Sequence, residues 1–298
     1  MWKKILLGLL VIFGVAFLFI YNFTKYNELN LNSLDSRNYI TLADKAGEGN
    51  LQLNWTYIAA INAAQNNNNF KEVSSSDMEH VALMFINKLE ENWTAYTFNE
   101  VIESLELSGK IKKRALRYLT DLENYVSVDN DRILSLEQKK FIKDVTPGAI
   151  KNYSNYGILP SITIAQAILE SDWGRSNLSI EAKNIFGIKA DSNYQGDIVT
   201  FETTEFYGEK IKDNFRKYED VSLSMEDHAK FLKENERYTY NGVFDSKTYT
   251  TQAEALEKAG YSTSQNENGD KIYAETLIDV VKSYNLQLID SRVIENRK

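Results

Sequence analysis

Between Leu159 and Lys189 the chain reads LPSITIAQAILESDWGRSNLSIEAKNIFGIK, and one acidic residue, Glu170, stands apart by its setting. It falls in the last turn of an otherwise apolar helical run, beside Ile164, Ala165, Ala167, Ile168 and Leu169, with Trp173 just beyond. A carboxyl pressed against apolar and aromatic surface loses solvation of its charged form, so its pKa rises and it can stay protonated near neutral pH. A general acid that protonates a glycosidic oxygen needs that property. By position alone, a Glu at a helix end is more often paired or solvated, so the weight rests on the whole segment. Aromatic rings supply flat faces on which pyranose rings stack, and Trp173, Phe186, Tyr261 and Tyr273 are the candidates, with Asn184 as a polar contact or a loop turn. Any single one of these rings is more often core than a ligand contact.

The elements that must hold these residues are mostly helical. Pro160 suits the first position of a helix running Ser161 to Ser171. A helical pattern from about Ser135 (Leu136, Phe141, Ile142, Val145, Ile150) leads into it. Ile198 to Tyr207 opens with strand-like alternation, Val199 and Phe201 against Thr200 and Glu202, and reads as one arm of a hairpin turning near Gly208. Helices return at Ser224–Glu234, Thr251–Ala259 and Ile272–Tyr284. Upstream, Leu51 to Gln65 has helical spacing and stops at Asn66–Asn69, and Ser76 with Glu79 reads as a capping box for the next helix. Phe98 to Leu107 and Lys110 to Tyr125, separated by Gly109, complete an all-helical module.

Bulk properties exclude several classes. A net charge of -8 argues against a polyanion partner, so nucleic acid is not expected. Zero cysteines exclude disulfides, thiolate metal sites and a Cys nucleophile. The two histidines, His80 and His228, lack a third ligand within sequence reach and are read as packing residues, so no metal and no cofactor are expected. No Gly-rich phosphate loop and no Gly-x-Ser-x-Gly elbow occur.

Lys3 and Lys4 precede an apolar run from Ile5 to Ile20 that is just long enough to span a hydrocarbon core, with Trp2 and Tyr21 at interfacial positions. The expectation is a single-pass cell-membrane anchor over residues 1–24, N-terminus cytoplasmic and the rest extracellular. A cleaved signal peptide is the alternative, since Gly14-Val15-Ala16 is a small-x-small triplet, but cleavage there would leave Phe17-Leu18-Phe19-Ile20 on the mature end. Residues 25–50 are polar, show no sustained period and read as a stalk, and the polar stretch from Asn22 to about Asn50 reaches on the order of 95 Å at full extension. Residues 51–134 form the helical module of unknown role, and 135–298 the domain that carries Glu170. The apolar helix and the module are two places for a membrane-protein partner to pack.

About half of the chain, Glu137 to Ile289, resembles the family 73 glycoside hydrolases, bacterial N-acetylglucosaminidases that include many wall autolysins. Four motifs match in order. The first is Ala165-Gln166-Ala167-Ile168-Leu169-Glu170-Ser171 before Trp173-Gly174, and the second is Asn184-Ile185-Phe186-Gly187-Ile188-Lys189. The third is Thr204-Glu205-Phe206 with Phe215-Arg216-Lys217-Tyr218, and the fourth Ala259-Gly260-Tyr261-Ser262-Thr263 with Tyr273-Ala274. The resemblance implies a mainly α, lysozyme-like α+β domain with a small β-hairpin lobe and Glu170 as general acid. It implies Glu205, the matching position, as second carboxylate in preference to Glu202, with neither as the remaining alternative; both together are not favoured, because residues three apart on a strand face opposite sides. It also puts Tyr273 beside the acid. The chain departs from the family at Asp172, where a small residue is usual, and at Phe206, where Tyr is usual. Asp172 would raise the pKa of Glu170 if it points toward it and do nothing if it points to solvent.

The reaction so implied is hydrolysis of the β-1,4 bond between N-acetylglucosamine and N-acetylmuramic acid in peptidoglycan glycan strands. A muramidase or lytic transglycosylase on the same fold, and a wall-binding scaffold with little activity, are the rival readings.

Overall fold

The computed structural model describes residues 28–90, 92–205 and 209–295, without the side chains of 127–133, 203–205 and 209–211. The expected membrane span lies outside the described residues, and among those described no helix is long and apolar enough to cross a membrane. The chain divides into two compact units after Asp129.

The first unit opens with a short 3-10 turn, Leu31–Ser33, and helix α1, Ser36–Gly47. This corrects the expectation of a stalk over residues 25–50. The segment is polar overall, but Tyr39, Ile40, Ala43 and Ala46 recur at helical spacing and are buried, while the Asp35 side chain accepts from the Asn38 amide as N-cap. Helix α1 packs on α2, Trp55–Gln65, and α3, Ser75–Met84. The capping box that starts α3 uses Ser74 and Asp77, two residues before the expected Ser76 and Glu79. The Asn run after α2 also does more than turn the chain. Asn68 is buried; it donates from Nδ2 to the Glu28 carbonyl at 2.7 Å and accepts the Asn30 amide at 2.8 Å.

The unit is not all helical. Strands β1, Ile86–Leu89, and β2, Asn92–Ala95, pair antiparallel, with Ile86 opposite Ala95. Helix α4, Phe98–Ser104, has a Thr97–Glu100 capping box, and α5, Gly109–Ile133, contributes Ala115, Tyr118, Leu122 and Val126 to the core.

The second unit is built around one helix. Helix α7, Pro160–Ser171, is buried on nearly every side, so its run of apolar residues from Ile162 to Ile168 is the centre of the core and not one face of an amphipathic helix. Pro160 occupies the first turn as expected. Around it pack α6, Leu136–Tyr156, α11, Tyr249–Lys258, α12, Tyr273–Ser283, and α13, Gln287–Glu295. Helix α8, Asn177–Ala182, follows the site turn; α9, Val221–Glu234, lies on α6; and α10, Glu236–Tyr240, leads into α11. Strands β3, Ile198–Glu205, and β4, Glu209–Arg216, form an antiparallel hairpin whose ladder runs from Ile198–Arg216 to Glu205–Glu209 without a bulge. A mainly α domain with one two-stranded lobe is the expected architecture. Phe206 and the expected turn near Gly208 lie outside the described residues.

Candidate active site

The N-terminus of α7 lacks a cap from its own N-cap residue, Leu159, and is held from elsewhere. The Asp290 carboxylate on α13 accepts the Ser161 amide at 2.8 Å and the Ser161 hydroxyl at 2.5 Å, all of it buried. An anion at a helix N-terminus meets both unpaired amides and the positive end of the helix dipole. Gln252 accepts the Leu159 amide at 2.7 Å and donates to the Gly157 and Val243 carbonyls. These contacts fix the axial position of the helix, and hence of Glu170 at its other end.

After Ser171 the helix stops in three successive left-handed residues, Asp172 (φ 48°), Trp173 (φ 60°) and Gly174 (φ 74°). Such a conformation is uncommon for residues with a Cβ. Here Ser171 supports it, donating to the Ala167 carbonyl and accepting the Gly174 amide at 2.7 Å. A Cβ on Gly174 would lie 2.9 Å from the Phe141 ring, so the turn sits hard against α6. Asp172 is exposed and pairs with Arg175 at 2.7 Å, so of the two orientations open to it the one toward solvent holds, and desolvation is the influence that raises Glu170.

Glu170 is exposed at the end of α7, with its Oε1 against the Tyr273 hydroxyl. Burial raises its pKa from the ordinary carboxylate value, and the hydrogen bond from Tyr273 partly opposes that rise. The Tyr273 hydroxyl donates to Glu170 Oε1 at 3.0 Å. Gln166, one turn before Glu170 on the same face of α7, donates from Nε2 to the Tyr273 oxygen at 3.2 Å. Because the single Tyr273 proton goes to Glu170, its oxygen can only accept from Gln166, which sets the orientation of the Gln166 amide. The Gln166 Oε1 is buried with no partner among the described residues, a cost of about 1–3 kcal/mol that a core residue with no other duty would avoid.

The predicted site residues fall into two groups. Glu170, Tyr273 and Tyr261 come together, the two tyrosine rings stacked at 5.2 Å and 22°. Trp173 stands beside the acid in sequence, half-buried edge-on between Phe141 and Tyr284. Phe186 and Asn184, expected as sugar contacts, lie under the site. Phe186 is 5% exposed, with one ring face covered by His228 at 3.9 Å. Asn184 is 1% exposed, and its side chain donates to the Ile188 and Arg216 carbonyls and accepts the Ile188 amide, bracing the base of the hairpin. Neither has polar or ring surface free for a ligand.

Glu202 lies opposite Lys212 on the exposed side of the ladder with Ile198 and Thr200. Glu205 stands three positions on, at the opposite parity, paired through its backbone with Glu209, and its side chain lies outside the described residues. A separate pocket of about 620 Å³, lined by Tyr194, Asp197, Lys217, Tyr218, Glu226 and Asp227 among others, includes none of the predicted site residues. Among the described residues no group of His, Asp or Glu is arranged to hold a metal.

Sequence reasoning missed Gln166 and His228. Gln166 carried a signal, since it is the one polar long side chain four residues before the acid on an apolar helix. His228 carried none, because its contacts come from residues 33 and more positions away in sequence. A Tyr273→Phe chain tests the site directly. Tyr273 donates to Glu170 and so favours its charged form. Removing the hydroxyl raises the Glu170 pKa further, and the basic limb of the activity–pH profile should move to higher pH. A limb that moves down or stays put would mean that the profile reports another group.

A raised carboxyl at the end of a buried helix, bonded by a tyrosine and accompanied by a two-stranded lobe, matches the architecture of a lysozyme-like glycoside hydrolase domain. Residues 146–286 match the glucosaminidase family model, described as mannosyl-glycoprotein endo-beta-N-acetylglucosaminidase, and this half of the chain is similar to peptidoglycan hydrolase domains of the glycoside hydrolase 73 type. The chain is 41% identical over 160 residues to the exo-glucosaminidase LytG of Bacillus subtilis, covering 52% of this chain and 54% of that protein. It is 33% identical over 150 residues to the peptidoglycan hydrolase FlgJ of Vibrio parahaemolyticus, covering 48% and 46%. Among solved structures, the catalytic domain of the autolysin Auto from Listeria monocytogenes is 35% identical, with a TM-score of 0.46, covering 53% of this chain and 89% of that one. The chain spans about half the length of the curated relatives it matches.

Proposed function

We propose that this chain is an N-acetylglucosaminidase that cleaves the β-1,4 bond between N-acetylglucosamine and N-acetylmuramic acid in peptidoglycan, acting within glycan strands. The observation that carries the reading is the Glu170 carboxyl, raised by burial and bound at Oε1 by Tyr273, which leaves Oε2 to deliver a proton. Glu170 protonates the bridging oxygen as the bond from the glucosamine anomeric carbon breaks, and muramic acid leaves. Either a water activated by Glu205 or the substrate's own acetamido oxygen attacks that carbon. The register of the hairpin supports Glu205 over Glu202, since Glu202 stands on the exposed side opposite Lys212. The tyrosine faces of Tyr261 and Tyr273, with Trp173, are the sugar-facing aromatics of this reading.

The apolar segment Ile5–Ile20 is assigned as a single-pass anchor with the catalytic domain outside. Tethering would raise the effective concentration at newly made strands near the membrane.

The test is product analysis. Purified peptidoglycan is digested with the chain, the products are reduced with borohydride, and the reduced ends are identified by mass spectrometry. Reduced N-acetylglucosamine on oligosaccharides of mixed length supports the reading. Disaccharides alone from the outset would make the enzyme exo-acting. Reduced muramic acid or anhydro ends would make it a muramidase or transglycosylase, and no products would put a wall-binding role first.

A further inference from the structure

Gln166 is a complete amide sunk in the core. It is 0% exposed, and its apolar neighbours along α7 from Ile162 to Ile168 are buried with it. Its Nε2 finds the Tyr273 oxygen at 3.2 Å, while its Oε1 finds no donor among the described residues. Thr163, three residues earlier on the same helix, is also buried, and its hydroxyl is likewise without a partner among the described residues. Residues at that spacing are neighbours on a helix surface. The amide does not close on that hydroxyl and reaches across to α12 instead. A side chain kept for packing alone would serve better as Met or Leu, which fill similar space and leave no buried acceptor unpaired.

We propose that Gln166 is a positioning residue for the proton donor, kept at a cost in stability: its Nε2–H, given to the Tyr273 oxygen, commits the Tyr273 hydrogen to Glu170 Oε1 and leaves the acidic hydrogen to Oε2. The assignment rests on Glu170 being the proton donor. Tyr273 has one hydrogen to give, and its hydroxyl bonds Gln166 at 3.2 Å and Glu170 at 3.0 Å. An N–H aimed at the oxygen cannot accept, so the hydrogen goes to Glu170. A protonated Glu170 whose Oε1 is already accepting carries its hydrogen on Oε2, the oxygen free to meet a glycosidic bond. With an apolar side chain at position 166, the direction of the Tyr273–Glu170 bond is no longer fixed. Glu170 can then donate from Oε1 to the Tyr273 oxygen, where its hydrogen is of no use to a substrate. The amide also polarises the hydroxyl, since a hydrogen bond received by an oxygen strengthens the one it donates. Among the described residues, the titratable groups that face Glu170 are Tyr273 and, behind it, Tyr261. Burial holds both hydroxyls well above the ordinary tyrosine range, so they stay uncharged at working pH. Asp172, on the turn that follows, is paired with Arg175.

The test is Gln166→Met in the full chain, with Gln166→Leu as a second apolar form should one of them pack poorly. Tm should rise by about 3 °C, because an unpaired acceptor leaves the core. On purified peptidoglycan, kcat on the pH plateau should fall about fivefold with KM unchanged. The Glu170 carboxyl, followed by ¹³C NMR and assigned by its absence from a Glu170→Gln sample, should titrate at higher pH than in the parent. The sign follows from the Tyr273 bond, which favours the charged carboxylate and is weakened here; the rise should be smaller than in Tyr273→Phe. In a Tyr273→Phe chain the same substitution should change neither kcat nor the titration, since Gln166 acts through that hydroxyl. A Tm at or below the parent's in both apolar forms overturns the proposal. So does a raised Tm with kcat and the Glu170 titration unmoved, or a full further loss of rate in the Tyr273→Phe chain. If the parent cuts no glycan, the proton-donor reading fails, and the melting and titration arms still decide whether Gln166 sets the Tyr273–Glu170 bond.

Discussion

A Glu170→Gln chain is expected to release reducing ends from peptidoglycan about a thousandfold more slowly than the parent, near the middle of the range that general acid catalysis supplies. The substitution is nearly isosteric, and a Gln oxygen at the Oε1 position still accepts the Tyr273 hydroxyl, so the fold and the tyrosine stack should persist. In the proposed reaction it removes the proton that Glu170 would deliver to the bridging oxygen. The measurement is initial rate on purified glycan strands, paired with a melting curve and a pull-down on insoluble wall material. A loss below about tenfold with an intact melting curve would mean that the proton comes from elsewhere. Retained wall binding with lost cleavage is the expected pair of results.

The second large effect is on stability and acts at the far end of the same helix. Asp290→Ala strips both Ser161 donors of their acceptor inside the core. Charge-assisted hydrogen bonds contribute about 1.5–3 kcal/mol each, and a buried donor left unpaired adds its own desolvation penalty. A loss of about 3–4 kcal/mol is expected, which for a domain of this size lowers Tm by on the order of 10 °C. Asp290→Asn keeps one acceptor and should lose roughly half as much. Calorimetry of the three proteins checks the order. An alanine variant within about 2 °C of the parent would show that α7 does not depend on this clasp.

The sequence made the C-terminal half legible for a physical reason. Helix α7 is apolar all round because it is buried all round, and a single carboxylate near its end is conspicuous against that background. Pro160 marked its start, and alternation marked β3. What stayed hidden was whatever depends on partners distant in the chain. Asn184 and Phe186 have the residue types of a sugar contact, and only the folded structure shows Asn184 tied to three backbone groups and Phe186 covered by His228. The clasp on Ser161 comes from 129 residues away and left no local trace.

In the first unit, α1 was obscured by its composition. A narrow buried stripe of Tyr39, Ile40, Ala43 and Ala46 sits among charged and amide residues, so the average reads polar where the spacing reads helix. Strands β1 and β2 span four residues each, too short for an alternation to declare itself.

The left-handed turn from Asp172 to Gly174 bears on how such a domain can change over time. Since Ser171 and Phe141 already fill the space around it, substitutions there should be purged for folding before they are ever weighed for rate. A saturation scan carried out in an already inactive Glu170→Gln background, with soluble yield as the readout, would therefore still show Gly174 as intolerant while exposed hairpin positions such as Thr200 and Glu202 accept most residues. On that outcome, the turn constrains residue 170 and its neighbours through folding alone, whatever the domain cleaves.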